Sequence, residues 1–427
     1  MVKINSILKE VLTEIKPSEK ELKYIEKTLS IYREKIKRNI QNRKINAEVF
    51  VGGSTAKGTL IRKDHYDIDV FLRFDKKYKN EALSGIAEKA IAGIKNTRIH
   101  GSRDYFRIKA GGNLFFEIVP VRRITNPREA ENVTDLSYSH VNYIKKKIKS
   151  QKLLDEIMLA KAFCYANNAY GAESYVSGFS GYGLELLIYH YKSFLRLIKE
   201  IAKMNTDFNN KIVIDIEKHH KNRGRVLMDL NEAKLKSPIV LIDPTHRQRN
   251  VLAALSRETL ENFQNECKDF LKKPEKEFFI KKSFNVKEKK KLADGKGYDF
   301  ASLKTTTNKQ EGDIAGSKLL KFYRHLRSEL EKFYDIKESG FEYKDGKSAL
   351  CFFSVKRKPW ILVQGPKIDD KNNVARFKSA HRTVFTKNRR FYSKEKNNLS
   401  LKSFAQLWKK KNIKKLREMS ISKLESA

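Results

Sequence analysis

Cysteine is scarce in this 427-residue chain, and the three that occur, Cys164, Cys267 and Cys351, stand far apart among apolar residues. No CxxC pair or zinc-ligand spacing can be drawn through them, so free buried thiols in a reducing compartment are expected. Long apolar runs are missing too. None approaches the roughly 20 residues that span a bilayer, and no secretory leader pattern opens the chain. A cytoplasmic protein with no membrane partner is the expectation. Acidic residues are in deficit, with 51 Asp and Glu against 90 Lys and Arg and a formal net charge of +39. A small acidic metabolite would require only a local basic pocket, whereas one sign of charge spread over the whole chain suits a long phosphate backbone or an anionic membrane surface. The length allows two to four domains with ample core.

What is present is concentrated between residues 51 and 74, VGGSTAKGTLIRKDHYDIDVFLRF. From 68 to 74 the residues alternate. Ile68, Val70, Leu72 and Phe74 share one strand face, predicted to be core, and Asp67, Asp69, Phe71 and Arg73 share the other. Two carboxylates at i and i+2 on one strand repel each other when ionised and are held most naturally by a divalent cation. Upstream, a short strand at residues 49–51 runs into Gly52-Gly53-Ser54, after which Thr55 to Thr59 opens a helix or a tight turn. Glycines let backbone amides approach a phosphate; Ser54 adds a hydroxyl and Lys57 a charge. Together these features suit a nucleoside triphosphate bound through Mg²⁺.

Two-metal phosphoryl transfer calls for a third carboxylate. Glu117 is the candidate, because it is the one acid in the apolar strand Leu114-Phe115-Phe116-Glu117-Ile118-Val119-Pro120. An ionised Glu there costs several kcal/mol unless it is paired, metal-bound or on an open face. Pro120 is predicted to end the strand.

Gly53-Ser54, Asp67-x-Asp69 and the later Glu117-Ile118-Val119-Pro120 resemble the nucleotidyltransferases of the DNA polymerase beta superfamily. More specifically, they are similar to the archaeal-type, class I CCA-adding enzymes. Tyr170-Gly171-Ala172-Glu173, Gly178-Phe179-Ser180-Gly181-Tyr182 and the segment from Val240 to Val251 carry the resemblance further and more specifically. It implies an α+β multidomain protein: a polymerase-beta-like head at 1–136 (mixed sheet with helices), a helical neck at 137–258, and an α+β body and tail at 259–427. It implies template-independent addition or repair of the tRNA CCA end from CTP and ATP, with two Mg²⁺ ions held by Asp67, Asp69 and Glu117. Gly53, Ser54, Lys57, His140, Lys161 and Tyr170 would position the triphosphate, and Arg249 would read the base. The body and tail would grip the tRNA acceptor stem and T-loop end, and a homodimer is allowed.

Four positions depart from the family pattern: Asp67 for a common Glu, Glu117 for the usual Asp, Lys57 for Arg, and Leu136 for Arg. The opposite swaps at 67 and 117 compensate in length, and the C-terminal region looks shortened. A related poly(A)-type enzyme would share the acids but add long ATP-only tails; a silent RNA-binding relative would keep only the charge. A small-molecule transferase would have no need of +39.

Elsewhere the chain reads as scaffold. Apolar spacing predicts a helix over residues 4–15, and a Ser18–Glu21 capping box opens a second; both are expected behind the sheet. A helix is predicted near 81–95, strands around 97–108, and a polar junction at 124–137 without periodicity. In residues 153–167 Lys161 interrupts an apolar run, and the apolar stripe of 184–202 reads as core with no site in it. The basic stretch 281–297 reads as a solvated loop. A helix at 317–334 and strands at 340–343, 349–355 and 360–363 follow. Lys387 to Tyr392, basic and aromatic, reads equally as an RNA-contacting patch or a strand edge. A Lys-rich helix from Trp408 to Lys415 is expected as an RNA-facing appendage.

Overall fold

A computed structural model describes residues 2–101, 103–205, 211–281, 284–309, 311–344 and 346–426. The chain divides into two compact units, Met1–Lys282 and Ser283–Ala427.

The first unit contains a sheet layer and a helical layer. The sheet is ordered β1-β2-β5-β4-β3, from β1 (Ala47–Val51), β2 (Tyr66–Phe74), β3 (Thr97–Ile99), β4 (Tyr105–Gly111) and β5 (Leu114–Arg122). Only β2 and β5 pair in parallel. The alternation of β2 sends Ile68, Val70, Leu72 and Phe74 into a core shared with Ile25, Leu29, Ile36 and Ile40 of helix α2 (Glu19–Asn42). Glu21 closes the expected capping box on Ser18. The strand continues through Pro120, which faces Leu72. By then β4 has left β5, whose last partner there is Ile118, so the missing N–H costs no ladder bond.

Helix α1 (Val2–Ile15) does not join α2 behind the sheet. Its Leu8, Val11 and Ile15 pack instead into the helical core, formed largely by α6 (Gln151–Ala166), α7 (Gly181–Tyr191), α8 (Phe194–Lys203) and α11 (Arg257–Lys272). A short helix, α3 (Gly53–Lys57), follows β1; α4 (Leu83–Ala90) covers the sheet, and α5 (Ser137–Lys147) leads into the helical layer. The junction before α5 is not loose. Buried Asp135 accepts from Arg103 and from the backbone of Arg122, Glu131 and Asn132. A three-stranded sheet of β6 (Ile212–Ile214), β7 (Ile239–Asp243) and β8 (His246–Asn250), with α9 (Arg223–Asp229) and α10 (Glu232–Leu235) between β6 and β7, completes the unit.

Residues 282 and 283 of the basic stretch lie outside the described residues, and in the second unit much of the rest is helix α12 (Val286–Asp294) rather than loop. Asn285 caps it by accepting from Lys287 and Glu288, a local signal that outweighs the weak apolar pattern. Strand β9 (Asp299–Thr306), helix α13 (Gly312–Leu330) and strands β10 (Tyr334–Lys344) and β11 (Ser348–Arg357) build its main sheet. Strands β12 (Trp360–Lys367), β13 (Val384–Lys387) and β14 (Arg390–Lys396) form a smaller one, with α14 (Lys371–Ala380) between β12 and β13 in sequence. Asn388 and Arg389, both at positive φ, make the β13–β14 turn. The expected appendage is anchored to the core by one residue: Trp408 of α15 (Leu401–Lys411) packs with Phe404, Leu319 and Phe322, while Lys409, Lys410 and Lys411 are exposed. After the short α16 (Ile413–Glu418), strand β15 (Lys423–Ser426) adds to β9. Among the described residues, no helix is long and apolar enough to cross a membrane, and the three cysteines are free and buried.

Candidate active site

The parallel pairing of β2 with β5 sets Asp69 directly across from Glu117. Neither side chain has a cation partner among the described residues, and the two carboxylates crowd each other. Burial, then the charges of Asp69 and Asp67, push Glu117 up to about 8. Burial raises Asp69 as well, against the pull of Lys57. Asp67 stands apart. Burial would raise it, but His65 Nε2 at 2.9 Å and Arg107 Nη2 at 2.9 Å hold it below the usual carboxylate range. Among the described residues no group of three His, Cys, Asp or Glu is close enough to enclose an ion. Asp69 and Glu117 fit a divalent cation by their chemistry, being hard oxygen donors, adjacent, buried and mutually repelling. Asp67 completes the set only by leaving Arg107. The rest of the acid face is less polar than its sequence suggests: Phe71 packs with Val119 and Val121, and Arg73 pairs with Glu48.

The turn after β1 lies against these acids. Gly53 has φ +59, and a Cβ there would sit 1.8 Å from Asp69 Oδ2, so only glycine brings the backbone this close. Thr59 N donates to Ser54 O at 3.0 Å and closes the turn around Gly58, itself at φ +66.

A cavity of about 540 Å³ opens between the sheet and the helices, and Gly53, Lys57, Asp69, Glu117 and His140 line it as the sequence led one to expect. Ser54, Asp67, Lys161, Tyr170 and Arg249 are not among its lining residues. Lys161 lies behind it, only 1 % exposed, donating to Thr59 Oγ1 and Glu185 Oε1, each at 2.7 Å. Burial brings its ammonium down to about 8, against the pull of Glu185. Lys57 reaches the other oxygen of the same carboxylate, Glu185 Oε2, at 2.6 Å. The Tyr170 ring lies under Lys63, whose ammonium is 4.8 Å from its centroid, and its hydroxyl approaches Gly181 so closely that a Cβ there would meet it at 2.9 Å.

Buried Asp243 ties together His140, expected at the triphosphate, and Arg249, expected to read the base. His140 Nε2 donates to Asp243 Oδ2 at 2.9 Å and Arg249 Nη1 to the same oxygen at 2.8 Å. Tyr182 donates its hydroxyl to Oδ1 at 3.3 Å and stacks on the His140 ring at 4.0 Å. Burial lowers the His140 pKa, while Asp243, despite its burial, is held far below the usual range by His140 and Arg249. Sequence reasoning missed Glu185, Asp243 and Tyr182. An acid in the apolar run Gly183-Leu184-Glu185-Leu186-Leu187-Ile188 is the same signal that singled out Glu117.

The nucleotidyltransferase domain family matches residues 29–156, and the second domain of tRNA nucleotidyltransferases matches residues 155–280. A CCA-adding enzyme of Methanocaldococcus jannaschii is 30 % identical over 406 residues, 91 % of this chain and 87 % of the relative. That of Nanoarchaeum equitans is 44 % identical over 211 residues; there the alignment takes in 49 % of this chain and spans about half, 51 %, of the relative. Two structures of the Cid1 poly(U) polymerase, with TM-scores of 0.52 and 0.51 at 16 % identity, cover 66 % of this chain and 99 % of theirs. That second likeness is one of fold.

Proposed function

The chain belongs to the CCA-adding enzymes, nucleotidyltransferases acting on tRNA 3′ ends, and from that premise we propose that it adds or repairs the terminal CCA of tRNA from CTP and ATP without a template. The observation that carries the reading is the register of Asp69 with Glu117, beside a glycine turn that no other residue could bring so close. Mg²⁺, two ions in the full reading, would be held by Asp69 and Glu117 with Asp67, and would supply neutralisation of the triphosphate and a more acidic attacking hydroxyl.

The protein's own groups do the positioning. The Gly53-Ser54 turn, with Gly53 on the cavity wall, would take the phosphates through its backbone and the Ser54 hydroxyl, Lys57 would reach them from the same wall, and Lys161 and Tyr170 support that side from behind. His140 donates Nε2–H to Asp243, which fixes its ring on the cavity wall. Arg249 uses one nitrogen on Asp243 and keeps the rest of its fork for the edge of cytosine or adenine. The tRNA 3′-oxygen attacks the α-phosphorus in line, the bond to the β-phosphate oxygen breaks, and pyrophosphate leaves.

Residues 259–427 are assigned to the acceptor stem and T-loop end of tRNA. The exposed Trp360, Leu362 and Phe385 beside Lys394 support this, the Lys394 ammonium lying 5.3 Å from the Trp360 ring centre. The head, neck, body and tail division, a cytoplasmic location and a homodimer complete the reading.

The test is incorporation of labelled CTP and ATP, separately and together, into tRNA transcripts ending before CCA, after the first C and after the second. Two C additions followed by one A are expected. Long ATP-only tails would move the protein to a poly(A)-type activity, and no incorporation with Mg²⁺ or Mn²⁺ would leave an RNA-binding relative.

A further inference from the structure

We propose that Glu185 is a positioning residue of the triphosphate site: one buried carboxylate that holds both lysines and the end of the glycine turn. The inference rests on the triphosphate reading of Lys57 and Lys161. Glu185 is 0 % exposed, and its helical neighbours Leu184, Leu186, Leu187 and Ile188 are all core. An ionised carboxylate in that setting persists only with close partners, and it has three: Lys57 Nζ at 2.6 Å, Lys161 Nζ at 2.7 Å and Thr59 Oγ1 at 3.0 Å.

Satisfying the carboxylate would take one cation, and the second gives the cluster a formal net positive charge. Of the two lysines, Lys57 lines the cavity and presents this charge to it, whereas Lys161 does not. The network also reaches the turn. Thr59 accepts from Lys161 and donates to Glu185 through one hydroxyl, while its amide donates to Ser54 O. Glu185 therefore acts on both halves of the phosphate grip, the ammonium and the amide cradle. Helix α7 reinforces the arrangement from its first turns: Tyr182, one turn before Glu185, has its ring centre 5.8 Å from the Lys57 ammonium. A lysine side chain carries large rotamer freedom, and holding it in place before the nucleotide arrives removes that cost from binding. Aligned charge-assisted bonds to phosphate are the interactions most sensitive to such placement.

The experiment compares the full-length wild type with Glu185→Gln, Glu185→Asp and Thr59→Val. Calorimetric titration with ATP and with inorganic pyrophosphate, each with Mg²⁺, is run beside steady-state kinetics and thermal melting. Glu185→Gln is expected to weaken ATP and pyrophosphate by a common factor, roughly tenfold, and to raise KM for CTP and ATP far more than KM for tRNA. Glu185→Asp keeps the charge but is one methylene short of two lysines, so it recovers part of the loss. Thr59→Val, isosteric and uncharged, should shift both ligands in the same direction by roughly two- to threefold.

A folded Glu185→Gln protein with wild-type pyrophosphate affinity, or with lowered melting temperature as its only change, overturns the proposal. If that variant does not fold, unaltered pyrophosphate binding in folded Thr59→Val and Glu185→Asp overturns it equally. Failure of the CCA-adding reading looks different: the wild type would add no C or A to tRNA, while its binding of ATP and pyrophosphate would still be measurable against the variants.

Discussion

Two buried charge clusters border the cavity, one through Asp69 and Glu117 and the other through Lys57, and they are opposite in more than sign. On the sheet side Asp69 and Glu117 stand in register, and burial, then the charges of Asp69 and Asp67, push Glu117 up to about 8. On the helical side two ammonium groups share one carboxylate and a hydroxyl, so every charge has a partner within 3.0 Å. The acid side holds carboxylates with no ion pair among the described residues; the lysine side pairs every charge and carries one formal positive charge in excess. On the proposed reading, a metal-bound triphosphate would bring a cation to the acids and negative charge to the lysines, joining the two clusters in one site.

The most severe way to break this comparison is to remove a carboxylate from the acid side. Asp69→Ala is expected to lower transfer by roughly 10³-fold or more while leaving tRNA binding intact, as read by filter binding at fixed salt. Loss of tRNA binding to the same extent would sink the assignment of Asp69 to chemistry.

Arg249→Ala leaves both clusters in place and touches only the base end. It should cost about 1–3 kcal/mol of discrimination, seen as UTP and GTP misincorporation rising against CTP and ATP. A uniform fall with all four nucleotides would make Arg249 a structural partner of Asp243 instead.

Glu117→Gln sharpens the contrast through stability. The wild-type carboxyl titrates near 4.5 when unfolded and at about 8 when folded. Its contribution is therefore fully present below about 4.5 and is lost as pH rises through about 8. In chelator, Glu117→Gln should be the more stable protein above pH 8, with the difference closing toward pH 5, as differential scanning calorimetry would record. Mg²⁺ should then stabilise the wild type and not the variant. A variant with the same pH profile as the wild type would mean the repulsion is already relieved within the protein.

The smallest change is Tyr182→Phe, which removes one 3.3 Å hydrogen bond to Asp243 and keeps the stack on His140. A loss of about 1 kcal/mol or less in melting analysis and a few-fold rise in nucleotide KM are expected. A larger effect would show that His140 depends on the hydroxyl more than on the stack.

Much of the acid side was legible because strand chemistry is periodic. The alternation of β2 assigned Ile68, Val70, Leu72 and Phe74 to the core, where they are at most 1 % exposed, and an acid out of place in an apolar strand picked out Glu117. The lysine side followed the same rule but escaped it. Glu185 interrupts a helical stripe, where an acid once every few residues is ordinary, and nothing nearby in sequence hints at its partners. The junction at 124–137 looked structureless because its anchor, Asp135, works through Arg103 on another part of the chain. Helix α12 was hidden by its lysines, since only Ala293 among its residues is buried. Trp408 sat among basic residues that mark a surface, yet its own ring packs in the core of the second unit.

The sequence by itself determined the family, the strand that carries the acids, and the glycine turn beside them, because each is written in residues a few positions apart. Tertiary structure alone decided which charges meet. Lys57 and Glu185 are 128 positions apart and His140 and Asp243 are 103 apart. Coulombic pairing depends on distance in space and on burial, neither of which leaves a period in the chain. The choice of Glu185 as the shared partner of two lysines came from the packing of α7 against the end of the glycine turn.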